Sequence, residues 1–409
     1  MPILLANATL TEAHAAPRPG HHVLVEDDRI AAISATPIAP PPGTTVIDVA
    51  GRHLLPGLID AHVHIVASLV DLAANAAQPS SLAALRAGRL TAAMLDRGFT
   101  TVRDVGGADI GFATAVAEGT LHGPRLIVSG KALSQTGGHC DSRIRSDDRP
   151  WYEHRVGAMG RLVDGVDAVR RAAREELRAG AHFIKIMANG GIASPTDPIH
   201  ALQYSEAEIR AIVEEAANAG TYVSAHLYTD AAIRRAVECG VHSLEHCNLI
   251  TPETARFAAE RGCVAVPTLV TYEILASEGA AMGLPPDSVA KIETVRSAGL
   301  ASLKIMADAG LPMAYGSDLL GGMQPHQSGE FTIRGAVLPA SDVLASATTI
   351  AAKLCGLEGQ AGVLAVGAYA DLIVVDGDPL AELALLTGQG AHMPLIIAAG
   401  RVHKDRLSA

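Results

Sequence analysis

Short apolar segments alternate with longer amphipathic ones through the middle of the chain, and this pattern restricts the fold more than any other feature. Eight segments read as strands: Leu58–Ile65, Thr100–Val105, Arg125–Ser129, Phe183–Met187, Tyr222–Leu227, His242–His246, Val264–Val270 and Met313–Gly316. Helical patterns lie between most of them, such as GVDAVRRAAREELRAG and SEAEIRAIVEEAANAG. In the second, Ser205 and Glu208 have the spacing of a capping box. Strands joined through helices pair in parallel, and eight such units close into a barrel of roughly 250 residues. The expected fold is therefore α/β, a (β/α)8 TIM barrel over residues 57–356.

The ends of the chain have a different character. ILLANATL, HHVLVEDDRIAAIS and TTVIDVAGRHLLPG read as strands broken by turns, with the loop PIAPPPG between them. VGAYADLIVVDGDPL and PLIIAAGRVHKD repeat that pattern near the C-terminus. Neither end is large enough to form a core alone. Together, residues 1–56 and 357–409 are expected to make one small β-sandwich domain.

Composition narrows the partners. The formal net charge is −11 and no basic run occurs, so nucleic acid is not expected. The five cysteines form no CxxC pair, which suggests a reduced, cytoplasmic setting rather than a disulfide framework. The N-terminus lacks the character of a signal peptide, and no run of about 18 apolar residues points to a membrane.

The chemistry begins at His62-Val63-His64. Side chains two apart on a strand share a face, so both rings can grip one metal. Alone, an HxH pair is weak. Lys185 lies within the apolar FIKIMANGG segment, where a charged amine is costly unless paired or removed. Its plainer reading is a lysine reaching solvent at a strand end. Beside the histidines, carbamylation is the sharper one, which turns the amine into a carboxylate able to bridge two metals. His226 and His246 end two successive strands and would face the same mouth. Asp318 follows the last strand, where it could cap the next segment or ligate a metal and take a proton. Imidazoles with carboxylate oxygen suit zinc, while manganese or cobalt could support the same chemistry.

This order resembles the amidohydrolase superfamily: HxH on strand one, lysine on strand four, histidines on strands five and six, aspartate on strand eight. The resemblance covers the whole chain, including PGLIDAHVH before the barrel and GAYADLIVVDGDP after it. SQTGGH (Ser134–His139), KIMANGGIASPTDP (Lys185–Pro198), EHCNLI (Glu245–Ile250) and VPTLVTYEILASEG (Val266–Gly279) are similar to the Xaa-Pro dipeptidase, or prolidase, group. The resemblance implies a dipeptide with its carboxylate held beside the metals. It assigns His139 and Tyr228 to that carboxylate or to polarising the scissile carbonyl. It also implies a homo-oligomer, with an octamer as the candidate assembly. GSD around Asp318 and Leu227 after His226 depart from the commoner residues, which puts substrate preference in doubt more than chemistry.

The mechanism expected is amide hydrolysis with two divalent ions. His62, His64 and Asp318 would hold the buried ion, and His226 and His246 the exposed one, with carbamylated Lys185 shared. Rival readings keep the metals and change the pocket: an N-acyl amino acid or ochratoxin-type carboxypeptidase, or an imidazolonepropionase-like cyclic amide hydrolase. A non-catalytic barrel scaffold is the remote alternative. Arg143 and Arg145 read as solubilising residues, Asp104 as a structural hydrogen-bonding group, and Met187 and Met306 as core. His21, His22, His53, His122, His154, His392 and His403 read as peripheral.

Overall fold

The computed structural model describes residues 1–194, 196–282 and 286–407. Among the described residues the strands are β1 (Ile3–Leu10), β2 (Arg18–Glu26), β3 (Arg29–Ser34), β4 (Thr45–Asp48), β5 (His53–Pro56), β6 (Leu58–Val63), β7 (Phe99–Asp104), β8 (Arg125–Val128), β9 (Ala132–Ser134), β10 (Gly160–Leu162), β11 (Ile184–Met187), β12 (Val223–Thr229), β13 (Ser243–Leu249), β14 (Val264–Val266), β15 (Leu372–Val375), β16 (Leu395–Ala398) and β17 (Arg401–Asp405).

The middle strands pair in parallel throughout. They form one sheet in the order β6-β7-β8 and another in the order β10-β9-β11-β12-β13-β14. Helices supply the crossovers, and two of them show a clear capping start. Helix Glu206–Asn218 opens with the expected capping box, Ser205 and Glu208 bonding reciprocally. Helix Pro252–Glu260 follows Thr251, whose side chain accepts from the Thr254 N–H, and has proline in its first turn, where no N–H is missed. Fully buried Val102, Ile184, Ala225 and Leu244 place the core of this region between sheets and helices.

Two expected strands differ from the structure. The seventh ends at Val266, and residues 269 onward turn into helix Leu269–Glu278. The eighth, Met313–Gly316, is extended chain whose only bridge among the described residues joins Met313 to Ala265. It still links the two parallel sheets: Ala314 N–H donates to Ala265 O at 2.9 Å, and Ala61 N–H donates to Tyr315 O at 2.7 Å. Two short strands, β9 and β10, were not expected. With three residues each, neither carries enough alternation to be read from sequence.

The chain ends combine into one eight-stranded mixed sheet, ordered β17-β16-β15-β5-β1-β2-β3 with β4 also on β1. Antiparallel pairing of β5 with β15 joins the two ends directly. Leu5 and Leu54 from the start pack in one cluster with Val374 and Ile397 from the end, all fully buried. Each such side chain contributes about 1.5–3 kcal/mol by leaving water, so each end depends on the other.

Candidate metal centre

The site lies at the C-terminal ends of the parallel strands. His62 is on β6 and His64 just beyond it, with ring centroids 5.4 Å apart. Alternation along the strand sends both rings to one side, where His62 Nε2 and His64 Nε2 each lie 3.3 Å from Asp318 Oδ1. His246, on β13, reaches the same place, with Nδ1 3.9 Å from Asp318 Oδ2. One ligand atom each from His62, His246 and Asp318 lies within 4.8 Å of the others.

Backbone geometry aims two of these groups. His246 has φ 73° and Asp318 φ 51°, left-handed values that cost a non-glycine residue about 1–3 kcal/mol. Around Asp318 the turn is secured by two donors, Ser317 N–H and Asp318 N–H, both on His62 O.

Each ring is oriented from behind. His62 Nδ1 lies 2.7 Å from Glu245 Oε2, His64 Nδ1 is 3.0 Å from Gly106 O, and His246 Nδ1 is 2.8 Å from Thr268 Oγ1. Fixing one ring nitrogen leaves the other for a ligand, as in carboxylate–histidine–metal arrangements. Fully buried Glu245 also accepts from Arg103 Nη2 at 2.8 Å and from the Ser224 and Ser243 hydroxyls at 2.6 Å. Burial pushes its carboxyl up, but Arg103 and His62 outweigh burial and hold it well below the usual range. Asp60 positions the adjoining backbone by accepting from His62 N–H at 3.1 Å and Ser317 Oγ at 2.6 Å. Asp104 accepts three backbone N–H groups, from Ile65, Gly106 and Ala108, which agrees with a structural role. The serine of the GSD segment therefore has a specific bond, to Asp60.

Lys185 on β11 and His226 on β12 line the same cleft. The Lys185 side chain is 1% exposed and makes no hydrogen bond among the described residues. Burial lowers its pKa, with Glu245 and Asp318 opposing. A less basic amine on a buried strand is the form that reacts with carbon dioxide. His226 Nε2 is buried without any hydrogen-bond partner among the described residues. Burial holds the His226 and His246 rings well below the usual histidine range, so both are neutral donors. An orphaned imidazole nitrogen, a buried lysine without a hydrogen bond and three rings converging on a carboxylate fit a divalent metal site.

The cleft spans about 740 Å³, open solvent at its mouth included. His139 stands in its wall, stacked on His226 with centroids 4.1 Å apart. Tyr228 faces it too, and its hydroxyl accepts from the Tyr272 hydroxyl at 3.1 Å. Leu72, Trp151, Met159, Leu275 and Leu320 give the remainder an apolar lining. Met187, expected as core, is buried and also lines the cleft, whereas Met306 is core. Arg143 does not line it but pairs with Asp141 at 2.7 Å. The peripheral histidines stay outside, among them His53 on Thr11 and His122 on His403. Pro195, within the Lys185–Pro198 motif, lies outside the described residues.

Sequence reasoning missed Glu245, Arg103, Asp60, Thr268 and Tyr272. Glu245 had one usable signal: a carboxylate beside His246 in a strand otherwise apolar enough to be buried.

Known proteins resemble this chain in fold and sequence. A crystal structure described as an amidohydrolase superposes with a TM-score of 0.97 at 52% identity, covering all of both chains. A prolidase complexed with N-methylphosphonate-L-proline gives 0.97 at 49% identity, over 99% of this chain and 100% of that one. Ochratoxinase from Aspergillus niger is 33% identical over 346 residues, 81% of this chain and 71% of its own length. The amidohydrolase family profile matches residues 53–401, a span that contains every residue of the metal centre. By that match, this chain belongs to the amidohydrolase family.

Proposed function

We propose that the protein hydrolyses the amide bond of Xaa-Pro dipeptides or similar N-acyl amino acids, using two divalent metal ions. The observation that carries this reading is the convergence of His62, His64 and His246 on Asp318, with Lys185 and the unsatisfied His226 in the same cleft. The similarity to a prolidase complexed with N-methylphosphonate-L-proline supports the choice of substrate.

His62, His64 and Asp318 would hold one ion, His226 and His246 the other, and carbamylated Lys185 both; zinc suits this donor set. When bound, such ions polarise a carbonyl and lower the pKa of water toward about 7. Burial pushes the Asp318 carboxyl up, and His62, His64 and His246 outweigh it and keep it ionised; from its place against these rings it would accept a proton and return it to the leaving nitrogen. Tyr272 donates to the Tyr228 hydroxyl, leaving the Tyr228 proton free to donate to an oxygen that gains charge. His139 stands in the wall where a substrate carboxylate or carbonyl would lie. A prolyl leaving group has a tertiary amide nitrogen without hydrogen. The apolar lining can take its ring with no amide donor left unpaired.

The architecture that goes with this reading is a closed (β/α)8 barrel over residues 57–356, with residues 1–56 and 357–409 as a separate β domain. The protein would work in the cytoplasm as a homo-oligomer, an octamer being the candidate. No helix among the described residues is long and apolar enough to cross a membrane.

Similarity to ochratoxinase favours a second reading, an N-acyl amino acid carboxypeptidase. A panel of Xaa-Pro dipeptides and N-acyl phenylalanines separates the two. The proposal expects the dipeptides to have the higher kcat/KM by tenfold or more, an advantage of about 1.4 kcal/mol. Equal or reversed preference would transfer the assignment to the carboxypeptidase.

A further inference from the structure

Behind His139, which stacks on His226, lies an ordered chain of polar side chains to which the proposed reaction gives no role. His139 Nδ1 lies 2.8 Å from Ser194 Oγ, and Ser194 Oγ donates a short hydrogen bond to Asp197. A serine hydroxyl has one proton. Since that proton goes to Asp197, the His139–Ser194 contact requires the proton on Nδ1. Nε2, which makes no hydrogen bond among the described residues, is then the atom left for the cleft.

Asp197 is held as a fixed anchor. It is 3% exposed, and its Oδ2 accepts from Gly191 N–H and from Gln203 Nε2, both at 2.9 Å. Gln203 closes the loop by accepting from His139 N–H at 3.0 Å. Burial pushes the Asp197 carboxyl up, and His139, Ser194 and Gln203 pull it further down, so it stays ionised. The segment that carries Ser194 and Asp197 is itself fastened. Lys291 Nζ donates to the carbonyls of Gly191, Ser194 and Asp197 at 3.0–3.2 Å. Gly191 packs so closely on the His139 ring that any Cβ there would overlap it. These contacts leave the ring one orientation.

We propose that Ser194 and Asp197 are positioning residues that act through His139, holding its ring with Nδ1 tied back and Nε2 presented to the substrate. The kinetic part of this inference rests on the proposed amide hydrolysis; the orientation of the ring does not. The arrangement follows the logic by which a buried carboxylate orients a histidine for work at its other nitrogen.

The test combines a spectrum with a mutant cycle. Long-range 1H–15N correlation of the imidazole nitrogens, with the His139 signals assigned by their loss in His139→Gln, reports whether Nδ1 bears the proton. The proposal expects a protonated Nδ1 in the wild type and a changed pattern in Ser194→Ala, which leaves Asp197 its bonds to Gly191 and Gln203. For hydrolysis of alanyl-proline, Ser194→Ala and Asp197→Asn should each lose about tenfold or more in kcat/KM with metal content unchanged. Ser194→Thr, which keeps the hydroxyl, should recover most of it. The double variant His139→Ala/Ser194→Ala should be no worse than His139→Ala alone, because groups acting through one residue are not additive. An unprotonated Nδ1 in the wild type would overturn the proposal, as would additive losses or wild-type kinetics in Ser194→Ala. If the wild type fails to hydrolyse alanyl-proline, the proposed function falls and the spectrum still decides the orientation.

Discussion

The two walls of the cleft are built by different means. On one side, His62 and His246 project from buried strands, and their bracing reaches deep into the core between the parallel strands: His62 leans on Glu245, and Glu245 on Arg103, Ser224 and Ser243. On the other, His139 sits in a connection, and its partners Ser194 and Asp197 come from another connection tied down by Lys291. The first wall trades conformational freedom for a fixed donor set. The second can be rebuilt by changing a few loop residues without disturbing the strands. This is the division expected where a common metal chemistry serves many substrates. It also suits a family whose relatives include both a prolidase and an ochratoxinase.

Breaking the strand wall should cost most. Glu245→Ala leaves the fully buried Arg103 guanidinium without its carboxylate, and an uncompensated buried charge costs about 3–5 kcal/mol. Urea denaturation should show that loss of stability together with loss of metal binding. Full stability in this variant would mean that the strand wall is not braced as described.

Tyr228→Phe, at the boundary between the walls, should leave stability and metals nearly intact. It should lower kcat about 10²-fold, the cost of one donor to a developing oxyanion. Steady-state kinetics would show whether the loss lies in kcat or instead in KM, and a pure KM effect would move Tyr228 to ground-state binding. The smallest effect belongs to an exposed helix cap outside the cleft lining. Ser205→Ala removes the cap of helix Glu206–Asn218 and should cost about 1 kcal/mol in denaturation with kcat/KM unchanged. A change in kcat/KM would show that the helix transmits strain to the site.

The same contrast explains what could be read from sequence. His62 and His64 were legible because spacing along a strand determines which face a side chain takes. Lys185 stood out because lysine is rare in apolar strands. Arg103 and Glu245 were not, since their pairing joins β7 to β13 across 142 residues, and no local pattern announces it. Asp318 was legible as a residue, but the strand expected before it is extended chain with a single bridge among the described residues: after it the chain turns through a left-handed residue and bonds to the His62 carbonyl instead of extending a ladder. Ser194 and Asp197 were invisible as partners of His139, because loops carry no periodicity from which to infer contacts.

The central claim is that Lys185 belongs to the metal site. Metal analysis and dipeptide hydrolysis on purified wild type and Lys185→Ala test it most directly. The account predicts about two ions per chain in the wild type, and loss of both ions and of turnover in the variant. Two bound ions with full activity in Lys185→Ala would contradict it.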